Sequence, residues 1–301
     1  MIVVIGGGPA GAVAALALAR AQRPVTIVAP NKPAHSRLEI VSPRAAAAFD
    51  AVGLTALLHD PTIARRCAGI EHVDHHGVTT RQDFGTGFVV DRSRLDRALL
   101  DDAVRAGARF VAGRVRGCLR TNGQFLLALS GGNEIRAQQV IDGTGRPASI
   151  ARRLGARSLR GDRRIASRVE RADMFAEPRM RVVWEGGGWT TTMAGPAGCE
   201  TWRVGPPTPG QRPPNARDAS PRLLQPAAGD GWVAIGDAAA AFDPVNSQGL
   251  EHAVNSALIA AGAIIAGGMG NPEFNEIYDA ANRLTALNAD RARAMVYASA
   301  T

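Results

Sequence analysis

The chain opens on Met1-Ile-Val-Val-Ile-Gly-Gly-Gly-Pro-Ala-Gly11, and "VTIVAP" follows at 25–30. Residues 2–5 are a short β-branched strand, and "AGAVAALALARA" at 10–21 reads as a helix rich in small residues. With "PVTIV" at 24–28 as a second buried strand, this is a βαβ unit, which predicts a parallel sheet. The glycines between strand and helix have separate tasks. Gly6 permits the tight turn, Gly8 lets the backbone approach a pyrophosphate, and Gly11 allows helix and strand to pack closely. The free amides and positive end of the helix then face the phosphates. The turn is a dinucleotide site by its context. A carboxylate for the ribose normally stands about where this chain has Ala29 and Pro30.

Outward from this unit, "SPRAAAAFDAVGL" at 42–54 predicts a helix capped by Ser42, with Pro43 at its first position. "SRLDRALLDDAVRAGA" at 93–108 is amphipathic, with Leu95, Leu99, Ala103 and Val104 on one face. Several strands with turn-forming interruptions follow, and residues 176–206 suggest an antiparallel pair around Gly186-Gly187-Gly188. The Pro-rich stretch 205–221 reads as a surface loop. "GWVAIGDAA" is a strand running into a turn, "QGLEHAVNSALIAAGAII" a long helix, and the last thirty residues another helix.

A chain of 301 residues, 46% hydrophobic and 21% charged, has the composition of a globular protein with a substantial core. No apolar run is long enough to span a bilayer, and the first residues enter a strand without a basic leader. With three scattered cysteines, this points to a reducing, cytoplasmic setting. The formal charge of +8 comes from arginine, since Lys32 is the sole lysine. No basic run is interleaved with aromatics, so no nucleic-acid partner is expected.

Two later segments bear on which dinucleotide binds: "VIDGTGRPASIARRLGA" at 140–156 and "GWVAIGDAAAAFDPVNSQGLEHAVNSA" at 231–257. Together with the opening and "VVDRSRLDRALLDDA" at 89–103, they resemble the elements of FAD-dependent oxidoreductases of the para-hydroxybenzoate hydroxylase and geranylgeranyl reductase superfamily. The similarity is greatest to the flavin-dependent halogenase-like branch, which includes flavoproteins that modify tryptophan in quinone-cofactor enzymes. The resemblance implies an α/β fold: a Rossmann-type FAD-binding domain with a parallel sheet, an inserted antiparallel-sheet substrate domain, and a C-terminal helix. The expected boundaries are 1–66, 90–157 and 228–268 for FAD, 67–89 and 158–227 for substrate, and 269–301 for the helix.

By the same resemblance, Gly6, Gly8, Pro9, Ala10 and Gly11 hold the pyrophosphate, and Asp142 and Gly143 pack near the adenosine half. Gly236 and Asp237 meet the ribityl chain or pyrophosphate, and Arg92 lies against the flavin or its pyrophosphate. Gly249 and Leu250 offer backbone amides to the pyrimidine end of the flavin ring, where a helix N-terminus stabilises the negative charge left by two-electron reduction, and Pro244 and Gln248 belong to the same cofactor-binding set. Plainer readings stay open: Asp142 and Asp237 as turn caps, Arg92 as an ion-pair partner of Asp91 or Asp96. Without the acid at 29 or 30, Asn31 or Lys32 is left to contact the ribose. The lost charged hydrogen bonds, roughly 1.5–3 kcal/mol, correspond to about ten- to a hundredfold weaker FAD. Glu39 matches the acid of the family's Gly-Glu-Ser segment, with both neighbours changed.

The resemblance implies a monooxygenase hydroxylating an aromatic substrate, a small molecule or a peptide or protein side chain, through a flavin C4a-hydroperoxide. No second glycine fingerprint provides an NAD(P)H domain, so electrons come from NAD(P)H transiently or from a separate flavin reductase. The alternatives are a dehydrogenase or reductase acting on carbon–carbon bonds, or a weakly flavin-binding maturation partner. Halogenation is disfavoured, because Lys32 is the only lysine and the Trp-rich halogenase motif is absent. No metal is expected: His72, Asp74 and His76 alternate along "EHVDHHG" at 71–77 without a fourth ligand. No catalytic base is evident, and His75 and His76 are the candidates for acid–base work.

Overall fold

The structure is a computed structural model that describes residues 1–31, 37–169, 178–208, 210, 213 and 215–299. Among the described residues the α-helices are α1 (Pro9–Arg20), α2 (Pro43–Ala51), α3 (Thr55–His59), α4 (Arg92–Arg105), α5 (Gly249–Ile265) and α6 (Pro272–Ser299). Ile2–Ile5 is the middle of a six-stranded sheet. It pairs in parallel with Val25–Ala29 on one side and Gln139–Asp142 on the other. Arg109–Ala112 and Trp232–Ala234 extend the parallel part outward, and Ala228–Gly229 closes one edge antiparallel. Ile2–Ile5 and Val25–Ala29 are buried throughout, as strands covered on both faces must be.

Ten of the twelve residues of α1 are buried, which explains its composition: only alanine and glycine let a helix sit this close to a sheet while α4 and α5 press on it. A Cβ on Gly11 would stand 2.0 Å from the Gly6 carbonyl oxygen. Gly6, at φ +116°, leaves no room either, since its Cβ would lie 2.1 Å from the oxygen of Gly143. Ser42 caps α2, its hydroxyl accepting from the Ala45 amide at 3.3 Å with Pro43 next in line. α4 begins one residue earlier than the sequence suggests, because Asp91 caps it, its carboxylate accepting from the Ser93 amide at 2.8 Å.

The second large element is an eight-stranded sheet. Its order is Arg217–Asp218, Ile165–Val169, Gly198–Gly205, Gly188–Gly195, Arg179–Glu185, Ala64–Val73, Thr79–Asp91 and Leu38–Val41. Gly188–Gly195 pairs antiparallel with Arg179–Glu185 around the turn at Gly186 and Gly187. Arg179–Glu185 also pairs in parallel with Ala64–Val73, a contact between distant segments that no local pattern announces. Leu38–Val41 is a strand of this sheet, although the sequence groups it with the dinucleotide-binding segments. Two three-stranded sheets complete the fold. Among the described residues no helix is long and apolar enough to cross a membrane.

Candidate cofactor cleft and substrate cavity

A cleft of about 620 Å³ runs over the carboxyl ends of the parallel strands, the position that open α/β sheets reserve for ligands. Gly6, Gly8, Pro9, Ala10, Arg92, Gly143, Asp237, Gly249 and Leu250 all line it, so four distant stretches of chain meet there. Gly8 faces open space: nothing lies within 4 Å of where its Cβ would be. As the first residue before α1, it carries no side-chain cap, and neither does Gln248 before α5. Two uncapped helix N-termini therefore point at one cleft and give it a positive potential suited to pyrophosphate and to a reduced flavin ring. The residues present fit FAD: the Gly6–Ala10 turn and the start of α1 would hold its phosphates, and Asp237, Gly249 and Leu250 the flavin half.

The remaining sequence-predicted residues fall elsewhere. Gly11 packs behind the turn, and Gly236, at φ +55°, presses on Ala10, where a Cβ would come within 2.8 Å of the alanine's. The Asp142 carboxylate is used up internally. It accepts from the Thr144 amide and hydroxyl at 2.9 and 2.7 Å, and from the Ile150 and Ala151 amides at 2.9 and 2.8 Å. Its place is that of a turn cap behind the wall, and it is 1% exposed. Asn31 is exposed and outside the lining, and Lys32 lies outside the described residues. Pro30 lines the cleft, and so do Arg114, Arg116 and Arg153.

Arg92 combines its two readings. It lines the cleft and is held by Asp96 at 2.9 Å and by Glu39 at 2.5 Å, and Arg37 adds a second contact to Glu39 at 3.2 Å. Burial disfavours both charges. For Glu39, Arg92 and Arg37 outweigh that cost and hold the carboxyl below its usual range. For Arg92, Glu39 and Asp96 hold the guanidinium above its usual range. Asp237 faces Arg146 at 3.7 Å.

Beneath the eight-stranded sheet lies a second cavity of about 220 Å³, which shares Arg37, Glu39, Asp237 and Gly249 with the cleft. Pro244 and Gln248 line this cavity rather than the cleft. The sheet builds its roof by register. Ile70 pairs with Met180, Met193 with Glu200, and Trp184 with Trp189 and then Val204. Between them runs the row His72, Val182, Thr191 and Trp202, each paired directly with the next. Paired residues share a face, so "WTTTM" at 189–193 sends Trp189, Thr191 and Met193 into the cavity and the other threonines outward.

His72 is the histidine of this lining, and burial holds its pKa below the usual value. His75 and His76 stand on the exposed turn beyond the strand and line neither space, because the two-residue strand period ends at Val73. At the cavity floor Asp243 is 2% exposed. Its carboxylate accepts from the Val245 amide at 3.0 Å and from the Tyr297 hydroxyl at 3.2 Å, which in turn accepts from the Trp189 indole at 3.2 Å. Burial raises its pKa above the ordinary carboxyl value, against those hydrogen bonds. Asp243 and Tyr297 escape sequence reading, since they come from a loop and from the far end of α6.

This arrangement is that of a known class. The chain shares its fold with a peptidyl tryptophan dihydroxylase, QhpG, at 26% identity and TM-score 0.79 over 96% of this chain and 73% of that one. It also shares it with the flavin-dependent brominase Bmp2, at 18% identity and TM-score 0.80 over 94% and 83%. In sequence it is 26% identical to a menaquinone reductase of Mycobacterium tuberculosis over 86% of this chain and 75% of that protein. Fold, cleft and likenesses together define an FAD-dependent oxidoreductase, with a fold shared by flavin-dependent halogenases. The chain belongs to the family described as lycopene cyclase protein, whose sequence model matches residues 1–163.

Proposed function

We propose that the protein is a flavin-dependent monooxygenase that hydroxylates an aromatic ring, carried by a small molecule or by a peptide or protein side chain. The opening of the cleft into a cavity lined by Trp189, Trp202, Met180 and Met193 supports this most directly. Reduced FAD, when bound, supplies the electrons and the oxygen-activating chemistry. The chain's own residues orient the ring among apolar walls that exclude water. The N-terminus of α5 at Gly249 places positive potential where cleft and cavity meet. Asp243, whose protonated form burial favours, exchanges a proton at its carboxyl oxygens, with the Tyr297 hydroxyl beside it. Electrons come from NAD(P)H or from a separate flavin reductase. Likeness to the peptidyl tryptophan dihydroxylase supports the same reading as the aromatic lining.

Likeness to menaquinone reductases favours a second reading, flavin-dependent reduction or oxidation of a carbon–carbon bond in an apolar substrate. A single-turnover experiment separates the two. FAD-loaded, chemically reduced protein is mixed anaerobically with candidate aromatics and then exposed to labelled dioxygen. Hydroxylation predicts one labelled oxygen in the product and no anaerobic flavin oxidation. Flavin reoxidised by substrate without oxygen refutes the monooxygenase reading and leaves the reductase.

A further inference from the structure

One side of α6 holds that helix to the body of the protein. Tyr278, Asn282 and Ala289 are buried and Phe274, Ala286 and Tyr297 partly so, and the helix packs on Ala228–Gly229, Arg222–Gln225, Ala240–Ala241 and Pro244–Asn246. The opposite side is apolar as well. Ile277, Ala280, Leu284, Leu287, Arg291 and Ala294 follow one another at alternating steps of three and four, the spacing by which one helix packs against another along a seam. Ile277, Leu284, Leu287 and the flanking Met295 are each between 49% and 68% exposed. Large apolar side chains aligned in this way, rather than scattered singly, mark a contact surface.

Charge along α6 says what fits that seam. Residues 272–282 carry Glu273, Glu276 and Asp279 and no cation, whereas 283–299 carry Arg283, Arg291 and Arg293 against Asp290 alone. Within the helix Asp279 holds Arg283 at 3.5 Å and Asp290 holds Arg293 at 2.9 Å. Among the described residues Glu273, Glu276 and Arg291 make no ion pair within 4.0 Å. Two copies of this helix laid side by side in parallel would set acid on acid and Arg291 on Arg291. Turned end for end, the acidic part of each lies along the basic part of the other. Leu284 then meets Leu287 of the second copy, Ala280 meets Arg291 and Ile277 meets Ala294, each contact occurring twice about one twofold axis. The small Ala280 leaves space for the arginine, with Glu276 one turn away. On the flank of the seam Arg283 stands beside Asp290 of the second copy, and both side chains are more than half exposed.

We propose that two copies of this chain pair antiparallel through the exposed face of α6. The occupant is a second copy because the face complements itself under a half-turn, in its apolar steps and in its charges alike. A surface for an unrelated partner has no reason to do so. The pairing bears on the cavity without depending on the reaction there. Tyr297, in the last turn of α6, donates its hydroxyl to Asp243 at 3.2 Å and accepts from the Trp189 indole at 3.2 Å. A second copy laid along the helix holds that end against the cavity floor.

Sedimentation velocity of the FAD-loaded protein across micromolar concentrations tests this. The expected result is a species of twice the monomer mass and nothing larger, since an isologous contact closes on itself. Leu284→Glu and Leu287→Glu, at the centre of the seam, should each weaken dimerisation at least about a hundredfold. Arg283→Glu and Asp290→Arg should each weaken it about tenfold through like charges brought face to face. An equimolar mixture of those two variants should dimerise as the wild type does, because each then meets the opposite charge. Melting curves show that the variants are folded, as expected at exposed positions. A monomer at every concentration overturns the pairing and leaves the face to a different partner. A dimer that survives both leucine variants has its interface elsewhere and overturns it too. Charge variants that stay monomeric when mixed overturn the antiparallel register, and assemblies larger than two overturn the closed dimer.

Discussion

The cofactor cleft and the cavity beneath the eight-stranded sheet share a wall, yet they are made from different materials. The cleft is built largely of backbone: the Gly6–Ala10 turn, Gly143, Gly249 and the uncapped ends of α1 and α5. Its working groups are amides and open space, which demand glycine at particular positions. The cavity is built of side chains delivered by register, one or two from each of several strands that meet only in the folded sheet. A backbone site tolerates few residues locally, whereas a side-chain site tolerates many provided the volume is kept. That difference governs which substitutions each region withstands.

The largest expected effects lie in the glycine turn, where two neighbours should fail differently. Gly11→Ala forces a Cβ to 2.0 Å from the Gly6 carbonyl, and both folding and FAD binding should be lost, visible as an early or absent thermal transition. Gly8→Ala meets nothing within 4 Å in the protein. It should melt like the wild type yet bind FAD at least about tenfold more weakly by flavin fluorescence titration, roughly 1.4 kcal/mol. Equal FAD affinity in Gly8→Ala would show that the pyrophosphate lies elsewhere.

Next in size is the ion cluster on the shared wall. Arg92→Ala leaves Glu39 and Asp96 without their partner. It should destabilise the fold by about 2 kcal/mol, below the range for fully buried pairs because Arg37 still reaches Glu39 and solvent screens it in part. Adding Glu39→Gln should recover some of the loss in a denaturant titration. In the cavity, Ala166→Trp fills space beneath the sheet. It should block aromatic binding at a stability cost of roughly 1–3 kcal/mol, while FAD affinity stays unchanged. Loss of FAD together with substrate would mean that the two spaces are not separable.

A smaller effect concerns pH. Burial raises the pKa of Asp243 from an ordinary 3.8, so the native state binds this proton more readily than the unfolded chain. Stability from this group is then complete below 3.8 and declines as pH climbs toward the raised native value, above which the cost of burying the charge is constant. Asp243→Asn should remove that slope and raise the melting temperature at neutral pH. A variant less stable than wild type at pH 7 contradicts the sign. The smallest change is expected at the exposed turn: His75→Ala and His76→Ala should alter stability by no more than about 0.5 kcal/mol and leave both ligands' binding intact, in contrast to His72→Ala beneath the sheet.

By itself the sequence determined the parallel sheet, the glycine turn, the helix cap at Ser42, and the convergence of 140–156 and 231–257 on the cleft of a dinucleotide fold. These are local matters: a turn at φ +116° and a hydroxyl three residues from an amide. Even there, one carboxylate misleads. Asp142 has the right position in its motif, and only the fold shows that its oxygens are spent on four backbone and hydroxyl donors. Tertiary structure alone decided the cavity. It placed Leu38–Val41 in the eight-stranded sheet, chose His72 over His75 and His76, brought Tyr297 from the end of α6 onto Asp243, and set Arg217 over Trp202. The reason is that strand pairing joins residues by register across more than a hundred positions of chain, and a register is a property of the assembled sheet that no single segment encodes.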